Sequence, residues 1–211
     1  MVNISDRNKG ITMSISVDFY FDFGSPTAYL AHKRLQQLKG QYDFTIDYKP
    51  VLLGGIFKAS NNQSPVANPA KGAYMLSHDL PRFALRYGVP LAFNSHFPIN
   101  TLPLMRGAFA AAEEGCFDVY VDNMYNGMWQ EELNLGDLAI VKTRLEAAGL
   151  DADRLIALTQ EQHIKGALIA STEEAVARGA FGAPTMFVGD EMFFGQDRID
   201  FIAERLKAGS S

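Results

Sequence analysis

Strand-forming sequence lies at the two ends of this 211-residue chain, so any sheet it builds must join segments far apart in the sequence. Residues 16–23 read Ser-Val-Asp-Phe-Tyr-Phe-Asp-Phe, an aromatic and β-branched run suited to a buried strand. Residues 42–48 alternate with period two around Phe44 and Ile46 and predict a second strand, closed by Pro50. After Gly182 the pattern returns: Pro184-Thr-Met-Phe-Val188, then Gly189-Asp190, then Glu191-Met-Phe-Phe194. Glycine at the first central position of a two-residue loop signals a type II′ hairpin.

The rest is helical in pattern. Ser25-Pro26 has the chemistry of an N-cap followed by proline at the first helical position, opening a helix that turns Ala31, Leu35 and Leu38 inward and ends at Gly40. From Val51 a long helical stretch is punctuated by Gly88, Gly115, Gly149 and Gly179, with no strand inside it. Thr159 and Gln162 have capping-box spacing ahead of Ile164 and Leu168, while Asp79 followed by Pro81 reads as a fresh helix start or a kink. Ile199, Ile202, Ala203 and Leu206 share one face of a last helix over residues 197–206. The order β-α-β, helices, β-β-α predicts an α/β chain of thioredoxin-like fold with a large all-helical insertion. Residues 13–70 and 178–208 form the discontinuous thioredoxin-like domain, 71–177 the helical insertion, and 1–12 a flexible leader before a second candidate start at Met13.

Composition narrows the function. The 19 Lys+Arg against 24 Asp+Glu give a net charge of −5 without any basic block, which argues against nucleic acid. No segment approaches the roughly 18 consecutive apolar residues of a membrane helix, and the polar start lacks the apolar centre of a secretory signal, so a cytoplasmic setting is expected. One cysteine, Cys116, agrees with a reducing compartment. His32, His78, His96 and His163 share no spacing, and neither catalysis nor a metal site is assigned to them.

Three segments carry candidate chemistry. Ser25 lies where the first strand meets the positive pole of the first helix; it caps the helix, and its hydroxyl can also donate to a ligand. A thioredoxin-like redox protein would hold two cysteines in this loop, but here it reads Ser25-Pro26-Thr27-Ala28, which excludes dithiol exchange. A site of that kind without its own thiol suits one brought by a cofactor, and glutathione is the abundant candidate. Ala183-Pro184 is either a plain edge-strand proline or a cis bond that turns the Ala183 backbone toward a ligand. Gln196 and Asp197 open the last helix, where free amides bind a carboxylate and Asp197 either pairs with an ammonium group or serves only the helix start.

The segments Phe19-Tyr-Phe-Asp-Phe-Gly-Ser-Pro-Thr-Ala-Tyr-Leu-Ala31, Gly54-Gly-Ile-Phe-Lys-Ala-Ser-Asn-Asn62, Asp79-Leu-Pro-Arg-Phe-Ala-Leu-Arg-Tyr-Gly-Val-Pro90 and Ala180-Phe-Gly-Ala-Pro-Thr-Met-Phe-Val-Gly-Asp-Glu-Met-Phe-Phe-Gly-Gln-Asp-Arg198 resemble the 2-hydroxychromene-2-carboxylate isomerases. That family stands with the kappa-class glutathione transferases in the DsbA-like group. The resemblance implies glutathione bound noncovalently, with Ser25 on its sulfur, Asn62 and the Ala183 backbone on the tripeptide, and Gln196 with Asp197 on the γ-glutamyl end. It implies an isomerase of aromatic catabolism working by thiolate addition, ring opening, cis-trans rotation and elimination, and relatives that are commonly homodimers. Lys58 is either a contact for a substrate carboxylate or a solvated lysine; Trp129 belongs to the aromatic substrate pocket or to the core. The usual family loop continues Ser-Pro with an aromatic residue and a serine, where this chain has Thr27 and Ala28. A kappa-like transferase or peroxidase is the second reading, and a non-catalytic thioredoxin-like binding protein the third.

Overall fold

A computed structural model describes residues 15–209; the leader expected over 1–12 and Met13 lie outside them. The sheet has four strands, β1 (Ile15–Phe21), β2 (Phe44–Pro50), β3 (Thr185–Val188) and β4 (Glu191–Phe194), in the spatial order β2-β1-β3-β4. β1 runs parallel to β2 with Phe19 opposite Tyr48, and antiparallel to β3 with Tyr20 opposite Thr185; β3 and β4 pair antiparallel. The two ends of the chain therefore meet along β1. Gly189 in the β3–β4 loop has φ 61° and Asp190 does not share a positive φ, which fits the expected II′ turn.

Ten α-helices complete the described chain: α1 (Pro26–Lys39), α2 (Leu53–Ser60), α3 (Pro69–Tyr74), α4 (Leu80–Tyr87), α5 (Leu102–Glu113), α6 (Phe117–Trp129), α7 (Leu138–Ala147), α8 (Ala152–Leu158), α9 (Gln162–Ala177) and α10 (Ile199–Gly209). Among the described residues none is long and apolar enough to cross a membrane. Val17, Phe19 and Phe21 project from one face of β1 into a core shared with Leu35 and Leu38 of α1, Ile202 and Leu206 of α10, and the helices around Tyr125. Tyr20 and Phe187 project from the other face onto Ile56 of α2 and Ala175 of α9. This is the thioredoxin-like fold with helical additions that the pattern predicts.

Three local expectations change. β1 stops at Phe21 instead of running to Phe23, because Asp22 folds its carboxylate onto the backbone of Gly24 and Leu53. Thr159 and Gln162 make no capping box: Thr159 ends α8 with its hydroxyl donated to the Ile156 carbonyl, and α9 starts after Glu161 without a side-chain cap. Between α3 and α4 lies a π-helical turn, Met75–Asp79, whose wide bond runs from Leu80 N–H to the Met75 carbonyl. The helix is thus deformed, not restarted, at Pro81, which has no N–H to continue the regular ladder.

Close packing of α5 on α6 demands Gly107: a Cβ there would sit 2.0 Å from the Tyr120 hydroxyl, which is buried and bonded to the Leu104 carbonyl at 2.9 Å. Gly107→Ala is expected to lower unfolding free energy by about 2–4 kcal/mol through overpacking and a displaced buried donor. Urea denaturation measures the loss, and adding Tyr120→Phe should return part of it.

On α1, His32 is buried with Nδ1 2.9 Å from the Tyr48 hydroxyl and Nε2 3.0 Å from Asp122 Oδ1, an oxygen that Lys33 also reaches at 2.8 Å. Burial holds the imidazole below its ordinary pKa despite the carboxylate, and the hydrogen bond from His32 with the Lys33 ammonium holds Asp122 well below the usual carboxylate range. An unfolded histidine takes up a proton below about pH 6.5, whereas buried His32 resists it, so stability falls as pH drops through that value. A lower urea midpoint at about pH 5.5 than at about 7.5, flattened by His32→Gln, is the expected result.

Candidate active site

The candidate site lies where β1 ends. Ser25 is buried, with extended backbone angles of φ −98° and ψ 111°, and its Oγ accepts the Ala28 N–H at 3.1 Å. Pro26 occupies the first helical position. The same Oγ lies 2.9 Å from Thr27 Oγ1 and donates to the Ala183 carbonyl at 3.1 Å. Cap and outward donor are therefore one residue: a lone pair closes the helix and the proton faces the opposite loop. The partial positive charge of the α1 N-terminus adds to the preference for an anion at this oxygen.

Ala183 stands opposite Ser25, and its bond to Pro184 is cis. The Gly195 N–H donates to the Pro184 carbonyl at 3.0 Å, which ties the Gln196–Arg198 turn to the same loop. Gln196 is buried, with its carbonyl accepting the Tyr87 hydroxyl at 2.7 Å, while Asp197 is exposed and ion-paired with Arg198. Gly195 has φ 96°, and a Cβ there would lie 2.6 Å from Asp197 Oδ1, so the carboxylate folds over a backbone that only glycine keeps clear. From the other side, Asn62 Nδ2 donates to the Phe181 carbonyl at 2.8 Å. Ser25, Asn62 and the turn at Gln196 and Asp197 are thus each tied by a hydrogen bond of their own segment to residues 181–184 around Ala183. Lys58 is outside that network, exposed on α2 one turn before Asn62.

Two members of the site escape the sequence reading. Thr27 places a second hydroxyl beside Ser25, also 3.4 Å from the Ala183 carbonyl; a hydroxyl two residues past a cap is its only signal. Asp22 is a fully buried carboxylate that accepts Gly24 N–H and Leu53 N–H, each at 2.9 Å, and a bond from the Thr101 hydroxyl. Burial pushes its pKa up and these three donors pull it back. One side chain thereby pins the Ser25 loop, the start of α2 and the start of α5.

Trp129 belongs to the core and also borders a cavity. It is fully buried, its Nε1 donating to the Phe23 carbonyl at 2.8 Å, and one side of it lines a cavity of about 530 Å³ with Leu76, Leu80, Ala84, Val89 and Phe93. Tyr29, one turn into α1 from Ser25, fixes the loop beside this cavity by donating to the Pro90 carbonyl at 2.6 Å. Burial pushes its phenol up to about 12, so it stays protonated at neutral pH. Burial and the nearby Glu114 carboxylate raise the thiol pKa of Cys116. Among the described residues, no group of three His, Cys, Asp or Glu side chains could hold a metal ion.

Residues 16–207 match the model of the DSBA-like thioredoxin domain. A 2-hydroxychromene-2-carboxylate isomerase of Sphingobium xenophagum is 33% identical over 196 residues, spanning 92% of this chain and 99% of that protein. The chain belongs to the 2-hydroxychromene-2-carboxylate isomerase family. A solved structure of such an isomerase superposes with a TM-score of 0.83 at 32% identity, covering 92% of this chain and 95% of the other. A kappa glutathione transferase of Caenorhabditis elegans is more distant, 26% identical over 90% of this chain and 93% of its own. This member of the isomerase family is an isomerase, and it has Ser25 and Ala28 where a dithiol oxidoreductase of the same fold needs two thiols.

Proposed function

We propose that the protein is a glutathione-dependent isomerase of 2-hydroxychromene-2-carboxylate-type aromatic compounds. The observation that carries the proposal is the Ser25 hydroxyl, buried at a helix N-terminus and bonded to the Ala183 carbonyl, in a loop without a cysteine. Bound there, glutathione would supply a thiol nucleophile for reversible addition to a conjugated substrate, which frees rotation about a former double bond.

The protein's own groups have separable tasks. Ser25 donates its proton to the sulfur and favours its ionised form. Thr27, within reach of the Ala183 carbonyl, satisfies that carbonyl when Ser25 turns to the ligand. The Ala183 backbone and Asn62 hold the tripeptide chain, while the turn at Gln196 and Asp197 receives its γ-glutamyl end. Asp197 is already paired with Arg198, so an incoming ammonium group shares that carboxylate. The cavity beside Trp129 is apolar and of a size suited to an aromatic substrate. Lys58, exposed near Asn62, would meet the substrate carboxylate at the mouth; Lys58→Met should raise KM several-fold and leave kcat nearly unchanged.

The kappa-class relatives support a second reading, a transferase. Stoichiometry separates the two: an isomerase turns over many equivalents of substrate per glutathione, whereas a transferase consumes one glutathione per electrophile. Conversion of the chromene carboxylate by catalytic glutathione supports the proposal; conversion without glutathione, or only with its consumption, overturns it. We also propose a cytoplasmic location and a homodimer, the latter because Met192, Phe194 and Phe201 are exposed beside the unpaired edge of β4. Sedimentation of the full chain as a monomer would remove the dimer.

A further inference from the structure

A second cavity, of about 430 Å³, runs between α2, α5 and α9 and includes none of the candidate site residues around Ser25. Its volume falls within the roughly 300–1,000 Å³ of small-molecule sites. It is elongated, because α9 lines it from Lys165 to Ala177, a run of roughly 18 Å at about 1.5 Å per residue. Gly55 lets α2 approach α9 closely, a Cβ there lying 3.1 Å from Thr172, and the groove opens beside that crossing.

The two ends of the groove differ in character. α5 and α9 run in opposite directions, since Glu113 at the end of α5 bonds His163 at the start of α9 at 2.8 Å, and Leu52 N–H bonds Thr172 farther along. Lys165 consequently lies toward the start of α9, Arg106, seven residues before Glu113, nearer the middle of the groove, and Leu52, Leu102, Val176 and Ala177 toward the end of α9. Among the described residues Arg106 has no hydrogen bond or ion pair, and its Nε is buried without a partner. Arg34 and Arg144 also bury an Nε, but their other nitrogens are bonded to Gln37 and Glu131. Lys165 makes no ion pair either, and Glu173, the acidic side chain on the groove, is exposed and pairs with neither cation. Two cations without a side-chain partner on the half of an apolar slot nearer the start of α9 complement one anionic head, and the apolar other half an extended tail.

We propose that this groove binds an amphipathic monocarboxylate, its head on Arg106 and Lys165 and its tail along Leu52 and Val176. Glu173, on the tail side, repels the carboxylate and sets the direction of entry. Octanoate and its uncharged analogue octanamide are the probes, titrated calorimetrically into the full chain. Octanoate should bind at least about tenfold more tightly than octanamide, and Arg106→Met or Lys165→Met should remove that preference, as expected for a charge-assisted contact. Trp129, the chain's single tryptophan, lines the other cavity and should show unchanged fluorescence. Should Arg106→Met fail to fold, Lys165→Met and the amide comparison decide. Equal binding of acid and amide, absence of octanoate binding, binding that survives both substitutions, or a fluorescence change reporting occupancy at Trp129 would each overturn the proposal.

Discussion

Ser25→Ala is expected to lower isomerase turnover at neutral pH by about ten- to a hundredfold while leaving the fold intact. A hydrogen bond to a charged acceptor contributes ~1.5–3 kcal/mol, or roughly one to two pKa units at ~1.36 kcal/mol per unit. Losing it returns the bound thiol toward its free pKa of about 8.5, where only a few per cent is ionised at neutral pH. The same substitution removes the cap on α1, whose Ala28 N–H would lose its partner, so unfolding free energy should also fall by ~1 kcal/mol. The two effects separate by pH: raising it restores the ionised sulfur and hence turnover, but leaves the stability deficit. Ser25→Thr, which keeps a hydroxyl, should recover most of the cap and part of the rate. A uniform rate loss at every pH would indicate that Ser25 is structural only.

Asp22→Ala is expected to have the largest effect on stability, about 3–5 kcal/mol, because it leaves part-buried donors without their acceptor. Gly24 N–H, Leu53 N–H and the Thr101 hydroxyl all depend on that carboxylate. Asp22→Asn offers one acceptor oxygen and sets an amide N–H against a backbone N–H, so an intermediate loss of about 1–3 kcal/mol is expected. Leucine of similar volume would not rescue, since the loss lies in the unpaired donors rather than in packing. Denaturant midpoints give the order Asp, Asn, Ala, and a neutral Asn variant would contradict it. Because Gly24 adjoins Ser25, kcat of the Asn variant should fall together with its stability.

The sheet and the loop at Ser25 were legible because local signals and tertiary packing agree there. The aromatic run through Phe21, the Ser25-Pro26 pair and Gly189 each demand one local geometry, and each obtains it. The failures arise where a side chain has several candidate partners. Thr159 has the spacing of a cap, yet its hydroxyl finds the Ile156 carbonyl within its own helix. Asp22 reads as a polar interruption of a strand, and its value emerges only when Leu53 and Thr101, distant in sequence, fold against it. Trp129 could be read as core or as part of an aromatic substrate pocket; its ring is core, with its polar edge bonded to Phe23 and one side bordering a cavity. Pro81 announced a disturbance in the helix without saying that it would become a π turn.

Ionisation of the glutathione thiol in the presence of saturating protein, followed by ultraviolet thiolate absorbance across pH, tests the account most directly. A pKa at least about one unit below the free value of about 8.5, returning to it with Ser25→Ala, is the predicted result. A bound thiol that titrates as it does in free solution, or one whose pKa is indifferent to Ser25→Ala, would contradict the assignment of Ser25 as the group that holds the sulfur.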